Sequence, residues 1–297
     1  MRQFFLICAL AAAYGTGHVL AASQTVDKIK ESGTIRIAYR ESSVPFSYVG
    51  PNKAPIGYTI DLCEKVVASL RAALGLKSID VQWLPVKASE RIAVLTEGKA
   101  DLECGNTTNT PDRRKSVAFA VPTFVAGIRI MGDKKLNLDK VGDLSGRTVA
   151  IAPGTTAAKL LEAQNKKYSA GIKVLEVKDH SDAMKALEAG QADAWVTDDI
   201  ILYSFRAGAK DSVKWAVSRR SMTVEPLAIM FRKDDPVFAD LVNKEVRRLM
   251  LSGEIQNVYK KWFMSPIPGP GINLDLPMGS LLRSFVEHPV GDMPMNY

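Results

Sequence analysis

Arg40 and Asp198 fall just beyond segments that read as β-strands, and two further arginines, Arg91 and Arg113, fall early in the helices that follow such strands. A guanidinium fork grips a carboxylate through two parallel hydrogen bonds, while an aspartate accepts from an ammonium. The same strand ends gather Asn106, Thr107 and Thr108 from the first half of the chain, and Thr155, Thr156 and His180 from the second. Three cations set against one anion, with hydroxyls between them, suit a small molecule carrying two carboxylates and one amine. An acidic amino acid has that pattern.

Two echoes in the sequence say what must position these residues. Thr34-Ile35-Arg36-Ile37-Ala38 returns as Thr148-Val149-Ala150-Ile151-Ala152, and Leu95-x-x-Gly98-x-Ala100-Asp101 returns as Leu187-x-x-Gly190-x-Ala192-Asp193. The order is the same both times, and the period is too long for a solenoid module, so two copies of one α/β unit are expected. Periodicity predicts strands at 34–40, 79–84 and 101–104, with helices at 58–74 and 89–97 and a further helix opening at Thr110. The second copy predicts strands at 148–152, 173–177 and 192–197, with helices from 156 and at 181–188. Ser89 and Ser181 read as helix caps. Alternating elements of this kind make mainly parallel sheets with helices on both faces, and ligands collect outside the carboxyl ends of such strands. Asn106 and Asp198 each lie five residues beyond a repeated aspartate, so they are equivalent positions facing one cleft. The β-rich runs 119–133 and 218–233 fit neither copy and read as two crossings between lobes. Helices at 235–252 and 254–263 and an extended outer tail complete the first lobe.

Composition bounds the rest. An apolar fraction of 46% in 297 residues suits two domains with real cores. Met1-Arg2, the apolar run 4–13 and the small residues Ala21-Ala22 read as a Sec-type signal peptide over 1–22, cleaved near Ala21 or Ala22. Export to the periplasm is therefore expected. The net charge of +7 is interleaved with acids and has no basic block, so no nucleic acid is expected as partner. Cys63 and Cys104 sit in apolar contexts and read as buried free thiols; an oxidising compartment permits a bridge, which spacing alone does not decide. No metal site and no cofactor are expected. The lobes are placed at 23–128 plus 225–297 and at 129–224.

The strings Arg40-Glu41-Ser42-Ser43-Val44-Pro45-Phe46-Ser47-Tyr48, Glu103-Cys104-Gly105-Asn106-Thr107-Thr108-Asn109, Gly154-Thr155-Thr156, Lys178-Asp179-His180 and Arg232-Lys233-Asp234-Asp235-Pro236 carry a resemblance. The chain resembles the periplasmic glutamate/aspartate solute-binding proteins of ABC transporters, the family 3 extracellular solute-binding proteins, over nearly all of its exported length. The resemblance implies a two-lobed periplasmic-binding-protein fold (type II) with a two-stranded hinge. It implies a monomer that binds L-glutamate or L-aspartate and delivers it to a membrane permease. It also implies that Arg113 and Thr108 hold the α-carboxylate and Asp198 the ammonium. Arg40, Arg91 and His180 would surround the side-chain carboxylate, with Thr156 adding a hydroxyl. Two departures stand out, because the family tends to carry serine where this chain has Ala88 and Asn106. The family's usual partner of Cys104 falls at Ile229, so that particular bridge is absent.

Plainer readings exist for each residue. Arg91 could pair with Glu90 or Glu97, Arg113 could belong to a charged helix face, and Asp198 could cap the helix after it. An exported lyase or dehydratase on the same fold, with Asp179 and His180 as acid and base, is the alternative in another class. A ligand-sensing protein is a third.

Overall fold

The computed structural model describes residues 23–289; the expected signal peptide lies outside them. The chain opens with α1 (Gln24–Ser32), β1 (Thr34–Tyr39) and a small antiparallel sheet of β2 (Ser42–Ser43), β3 (Ser47–Val49) and β4 (Pro55–Ile56). There follow α2 (Tyr58–Ala73), β5 (Asp80–Pro85), α3 (Arg91–Thr96), β6 (Leu102–Cys104) and β7 (Val117–Phe119). Strand β8 (Phe124–Ala126) leads into β9 (Ile128–Asp133), β10 (Thr148–Ile151), α4 (Thr156–Tyr168) and β11 (Lys173–Glu176). Next come α5 (His180–Glu188), β12 (Ala194–Asp198), α6 (Asp199–Gly208) and β13 (Trp215–Val217). The chain then returns through β14 (Glu225–Leu227) and β15 (Met230–Arg232) to α7 (Pro236–Leu251), α8 (Glu254–Phe263) and α9 (Ser280–Glu287).

Two five-stranded sheets result, with orders β5-β1-β6-β15-β7 and β11-β10-β12-β9-β13. In each, three parallel strands are followed by a fourth that runs opposite to them, and the fifth, antiparallel to the fourth, runs with the first three. The strands supplied by the repeats are the parallel ones, so the carboxyl ends of both sets point toward the cleft between the lobes. Between the sheets the two crossings of the chain pair with each other, β8 against β14, with Ala126 opposite Glu225.

The repeated motif has a structural reason. Asp101 Oδ2 accepts from the backbone N–H of Arg36 at 2.8 Å, and Asp193 Oδ2 accepts from that of Thr148 at 2.8 Å. Each aspartate thus staples the third parallel strand to the first. The glycines ahead of them, Gly98 and Gly190, have φ of +68° and +67°, a backbone conformation that glycine adopts at no steric cost. The staples and the strand register (Ile37 opposite Leu102, Val149 opposite Ala194) make Arg36 equivalent to Thr148. The echo in the sequence aligns Thr34 with Thr148 instead, two residues out of step. An even slip leaves every side chain on the same face of the sheet, so the alternation looks equally good in either alignment.

Core packing ties the hinge to the first lobe. Phe124 on β8 stacks on Tyr259 and Phe263 of α8 at centroid distances of 6.1 and 5.0 Å, and meets Phe46 edge-on at 4.9 Å. The Tyr58 hydroxyl, also in this cluster, donates to the Thr123 carbonyl at 2.8 Å.

Several expectations need correction. Thr110 does not open a helix. Residues 113–115 make a single 3-10 turn because Val117–Phe119 is claimed by the ladder with β15. Helices α3 and α5 begin after Glu90 and Asp179, not after Ser89 and Ser181; the Asp179 carboxylate accepts the His180 N–H at 2.8 Å. The tail is not merely extended, since Leu282, Phe285 and Val286 of α9 are buried. Cys63 and Cys104 are not free thiols: they form a disulfide joining α2 to β6 across 41 positions of sequence. Both cysteines lie on the buried face between helix and sheet, which the sequence pattern shows, but their opposition across that layer is a tertiary fact.

Closing a loop of that length restricts the unfolded chain. Replacing both cysteines by serine is expected to lower unfolding stability by about 2–4 kcal/mol, measured by guanidinium titration of the oxidised protein against the double variant.

Candidate functional site

The loops after β1, β6, β10 and β11 and the end of β12 meet in the cleft. Arg40 follows β1, with its N–H held by the Ser47 hydroxyl at 2.9 Å. Its side chain is fully buried, and Nη2 donates to Asp179 Oδ1 of the other lobe at 2.6 Å. Arg91, buried at the start of α3, donates to Thr107 Oγ1 at 2.9 Å and across the cleft to the Gly154 carbonyl at 3.2 Å. Arg113 reaches the same carbonyl at 3.0 Å and the Thr108 carbonyl at 2.9 Å. Asn106 donates through Nδ2 to Asp198 Oδ2 at 2.9 Å. The arginines of one lobe and the acceptors of the other therefore complete each other.

These contacts decide among the plainer readings. Arg91 pairs with neither Glu90 nor Glu97. Asp198 precedes α6 without a side-chain capping bond. Arg113 is buried in a turn and does not lie on a solvated helix face. Thr155 caps α4, accepting the Ala158 N–H at 3.1 Å, while Thr156 is half-buried beside it. Arg40, Arg91, Asn106, Thr108, Thr156, His180 and Asp198 enclose one polar space of about 10 Å³. Arg113 and Thr156 also border a wider outer chamber of about 570 Å³, walled by Ala88, Ile92, Leu160 and Ala163. At the chamber's rim Lys159 and Asp112 approach across the cleft to 3.6 Å.

Burial sets the electrostatics. His180 is 1% exposed with both ring nitrogens unpartnered, and burial, opposed by Asp179 and aided by Arg40 and Arg91, lowers its pKa to about 4. The ring is therefore neutral at ordinary pH. Burial and then the nearby Arg113 lower Arg91 to about 9. Asp198 is raised to about 7, first by burial and then by the charge of Glu225. Burial alone would raise Asp179 too, but the Arg40 guanidinium and the hydrogen bond from the His180 backbone N–H help to hold the carboxyl below its ordinary value.

Sequence reasoning missed four participants. Glu103 on β6 is fully buried, accepts from Thr107 Oγ1 at 2.7 Å, and is raised by burial. Glu225 on β14 is fully buried with neither carboxylate oxygen partnered. Asp179, weighed only as a catalytic partner, is the counter-ion of Arg40. Gly154 supplies the carbonyl that two arginines share. The charge pattern is thus not three cations against one anion but three guanidiniums among four carboxyl groups. Alternation could have flagged Glu103, whose strand is buried throughout; nothing local marks Glu225. Among the described residues no group of His, Cys, Asp and Glu could hold a metal ion, and no helix is long and apolar enough to cross a membrane.

Residues 35–265 match the model of bacterial extracellular solute-binding proteins, family 3. The chain belongs to this family. An L-glutamate/L-aspartate-binding protein of Pseudomonas aeruginosa is 39% identical, the match covering 89% of this chain and 88% of that protein. A glutamate/aspartate import solute-binding protein of Escherichia coli is 33% identical, covering 91% and 89%. Solved structures repeat the fold. An ancestral arginine-binding protein bound to arginine superposes with TM-score 0.71 at 27% identity, over 78% of this chain and 98% of that one. An ancestral amino acid-binding protein, a precursor of cyclohexadienyl dehydratase, gives TM-score 0.69 at 27% identity, over 80% and 99%.

Closure of this solute-binding protein depends on Gly154. Its φ is +77°, and a Cβ there would stand 2.6 Å from Ser89 Cα and 2.9 Å from Ser89 N, both backbone atoms of the opposite lobe. Gly154→Ala is expected to hold the lobes apart. Small-angle X-ray scattering with saturating ligand should show a larger radius of gyration than wild type, with each lobe still folded.

Proposed function

We propose that this protein captures an acidic amino acid, L-glutamate or L-aspartate, in the periplasm and presents it to the permease of an ABC transporter. The observation that carries this reading is the convergence on one cleft of Arg40 after β1, Arg91 at the start of α3 and Arg113 in the turn after β6 with Asp198 at the end of β12. Relatives described as glutamate/aspartate-binding support the ligand class. On this reading the signal peptide 1–22 is removed near Ala21 or Ala22. The protein works as a monomer, with 23–128 plus 225–297 as one lobe and 129–224 as the other.

Arg113 and Thr108 take the α-carboxylate, and Asp198 takes the ammonium. Arg40, Arg91 and His180 surround the side-chain carboxylate. Neutral His180 offers that carboxylate one ring N–H, and Arg40 has Nε and Nη1 without partners. Thr156 adds a hydroxyl at the mouth. The amide of Asn106 gives up its hold on Asp198 as the ammonium enters, or shares it. Ala88 supplies no hydroxyl, so the preference between the two acids rests on the remaining donors. Capture proceeds by closure around the β8/β14 hinge, since a group bound to both lobes stabilises the closed arrangement. The alternative of catalysis by Asp179 and His180 finds little support, because Asp179 engages the His180 backbone and Arg40, leaving the ring unoriented.

Calorimetry tests the assignment. Glutamate or aspartate should bind while lysine should not. Arg40→Ala should cost glutamate about 2–5 kcal/mol of affinity, because deleting one partner strands a buried charge. It should cost glutamine far less. Asp198→Asn should weaken acids and amides alike. Equal losses for glutamate and glutamine in Arg40→Ala would refute the division of roles.

A further inference from the structure

Glu225 has no role in the site as assigned above, yet among the described residues it is the one carboxylate buried with both oxygens unpartnered. Its side chain is fully buried, and neither oxygen has a hydrogen-bond partner. A buried, unpaired carboxylate is costly unless it finds a cation or gives up its charge. The strand ladder shows where it stands. Glu225 lies opposite Ala126, and Asp198 lies opposite Ile128, two residues further along the same stretch. The neighbouring Pro226 carbonyl accepts from Asn109 at 2.8 Å, which places Glu225 beside the loop carrying Asn106 and Thr108. It also borders the outer chamber together with Arg113 and Thr156. Two carboxyl groups from different elements thus converge on one side of the cleft.

We propose that Glu225 and Asp198 together form the seat for the ligand's ammonium, and that capture of the amino acid expels a proton held on Asp198 beside the buried Glu225. The inference rests on the amino-acid reading of the site. Two adjacent buried carboxyls do not both ionise readily, because each charge disfavours the other. The groups facing Asp198 are Glu225 from β14, Asn106 from the loop after β6, Arg91 from α3, and its own neighbour Asp199. Asn106 and Arg91 favour its ionised form, whereas burial, Glu225 and Asp199 oppose it; the balance sets Asp198 at about 7. An arriving ammonium supplies the positive charge that the pair lacks. Asp198 then ionises fully, and the proton leaves to solvent. No bond other than this O–H is broken.

The sign is fixed by this scheme. Below pH 7 Asp198 holds its proton before binding and must release it, so affinity rises with pH and levels off above that value. His180 cannot imitate the effect. It is neutral beforehand, and a carboxylate arriving beside it would draw a proton in, not drive one out.

L-glutamate binding to the unmodified protein, followed by calorimetry, is the test. Affinity should tighten by about tenfold between pH 6 and pH 8, the span expected for one group titrating near neutrality. Comparing phosphate with Tris buffer at pH 7 should reveal roughly half a proton released per ligand bound. In Glu225→Gln the seat loses one of its two carboxyls, so affinity should fall across the pH range, while Asp198, freed of that neighbouring charge, should show a pH dependence of less than about threefold. Glutamate binding with a flat profile and no proton release in the unmodified protein would overturn the proposal while leaving amino-acid capture intact. A Glu225→Gln variant with the wild-type profile would overturn it too. If that variant does not fold, the proton count of the unmodified protein decides by itself. No heat from any amino acid would remove both this inference and the reading beneath it.

Discussion

Charge taken out of water has to be answered, and here the answers come from the opposite lobe. Arg40 finds Asp179, Arg91 and Arg113 find the Gly154 carbonyl, and Asp198 finds Asn106. Each of these bonds crosses the cleft. A buried guanidinium deprived of its acceptor costs several kcal/mol, so with the lobes closed each of these groups needs its partner across the cleft, a substitute for it, or water let in by opening. A ligand with carboxylates and an ammonium is such a substitute: it can take over the arginines from the Gly154 carbonyl and Asp198 from Asn106. Binding and closure draw on the same set of donors and acceptors.

The scaffold that brings these groups together is one solution used twice. In both lobes a helix ends at a left-handed glycine, and three residues later an aspartate staples the next strand to the first. The carboxyl end of that strand then delivers a candidate site residue, Asn106 in the loop after β6 and Asp198 as the last residue of β12. The duplication thus yields an amide and a carboxylate at matching positions, which is why they meet when the lobes face each other. The hinge is not symmetric. Phe124 on β8 packs into the aromatic cluster of α8, so β8 is fastened to the side of the molecule that carries α8.

Much of this was legible from spacing. The parallel strands, the helices between them and the strand-end positions of Arg40, Asn106 and Asp198 follow from periodicity and repetition, because local pattern dictates them. The two-residue slip in the echoed strand shows the limit of such reading: alternation constrains which face a side chain occupies, not which rung. Glu103, Asp179 and Glu225 escaped selection because acidic residues are ordinarily solvated, and their burial is decided by elements distant in sequence. The disulfide escaped for the same reason. So did the 3-10 turn at Arg113, where a capping signal was overruled by the strand that β15 needed.

That disulfide encloses more than it joins. The covalent ring from Cys63 to Cys104 contains β5 and all of α3, hence Ala88 and Arg91, and it closes two residues short of Asn106. Outside its helices it includes the exposed pair Lys77 and Ser78. A protease that nicked the backbone there would not release a fragment, since both ends would stay fastened through sulfur and through the β1–β5 and β1–β6 ladders. The cleaved chain would migrate as one molecule until reduced, and the walls of the cleft would keep their places around an interrupted strand of covalent chemistry.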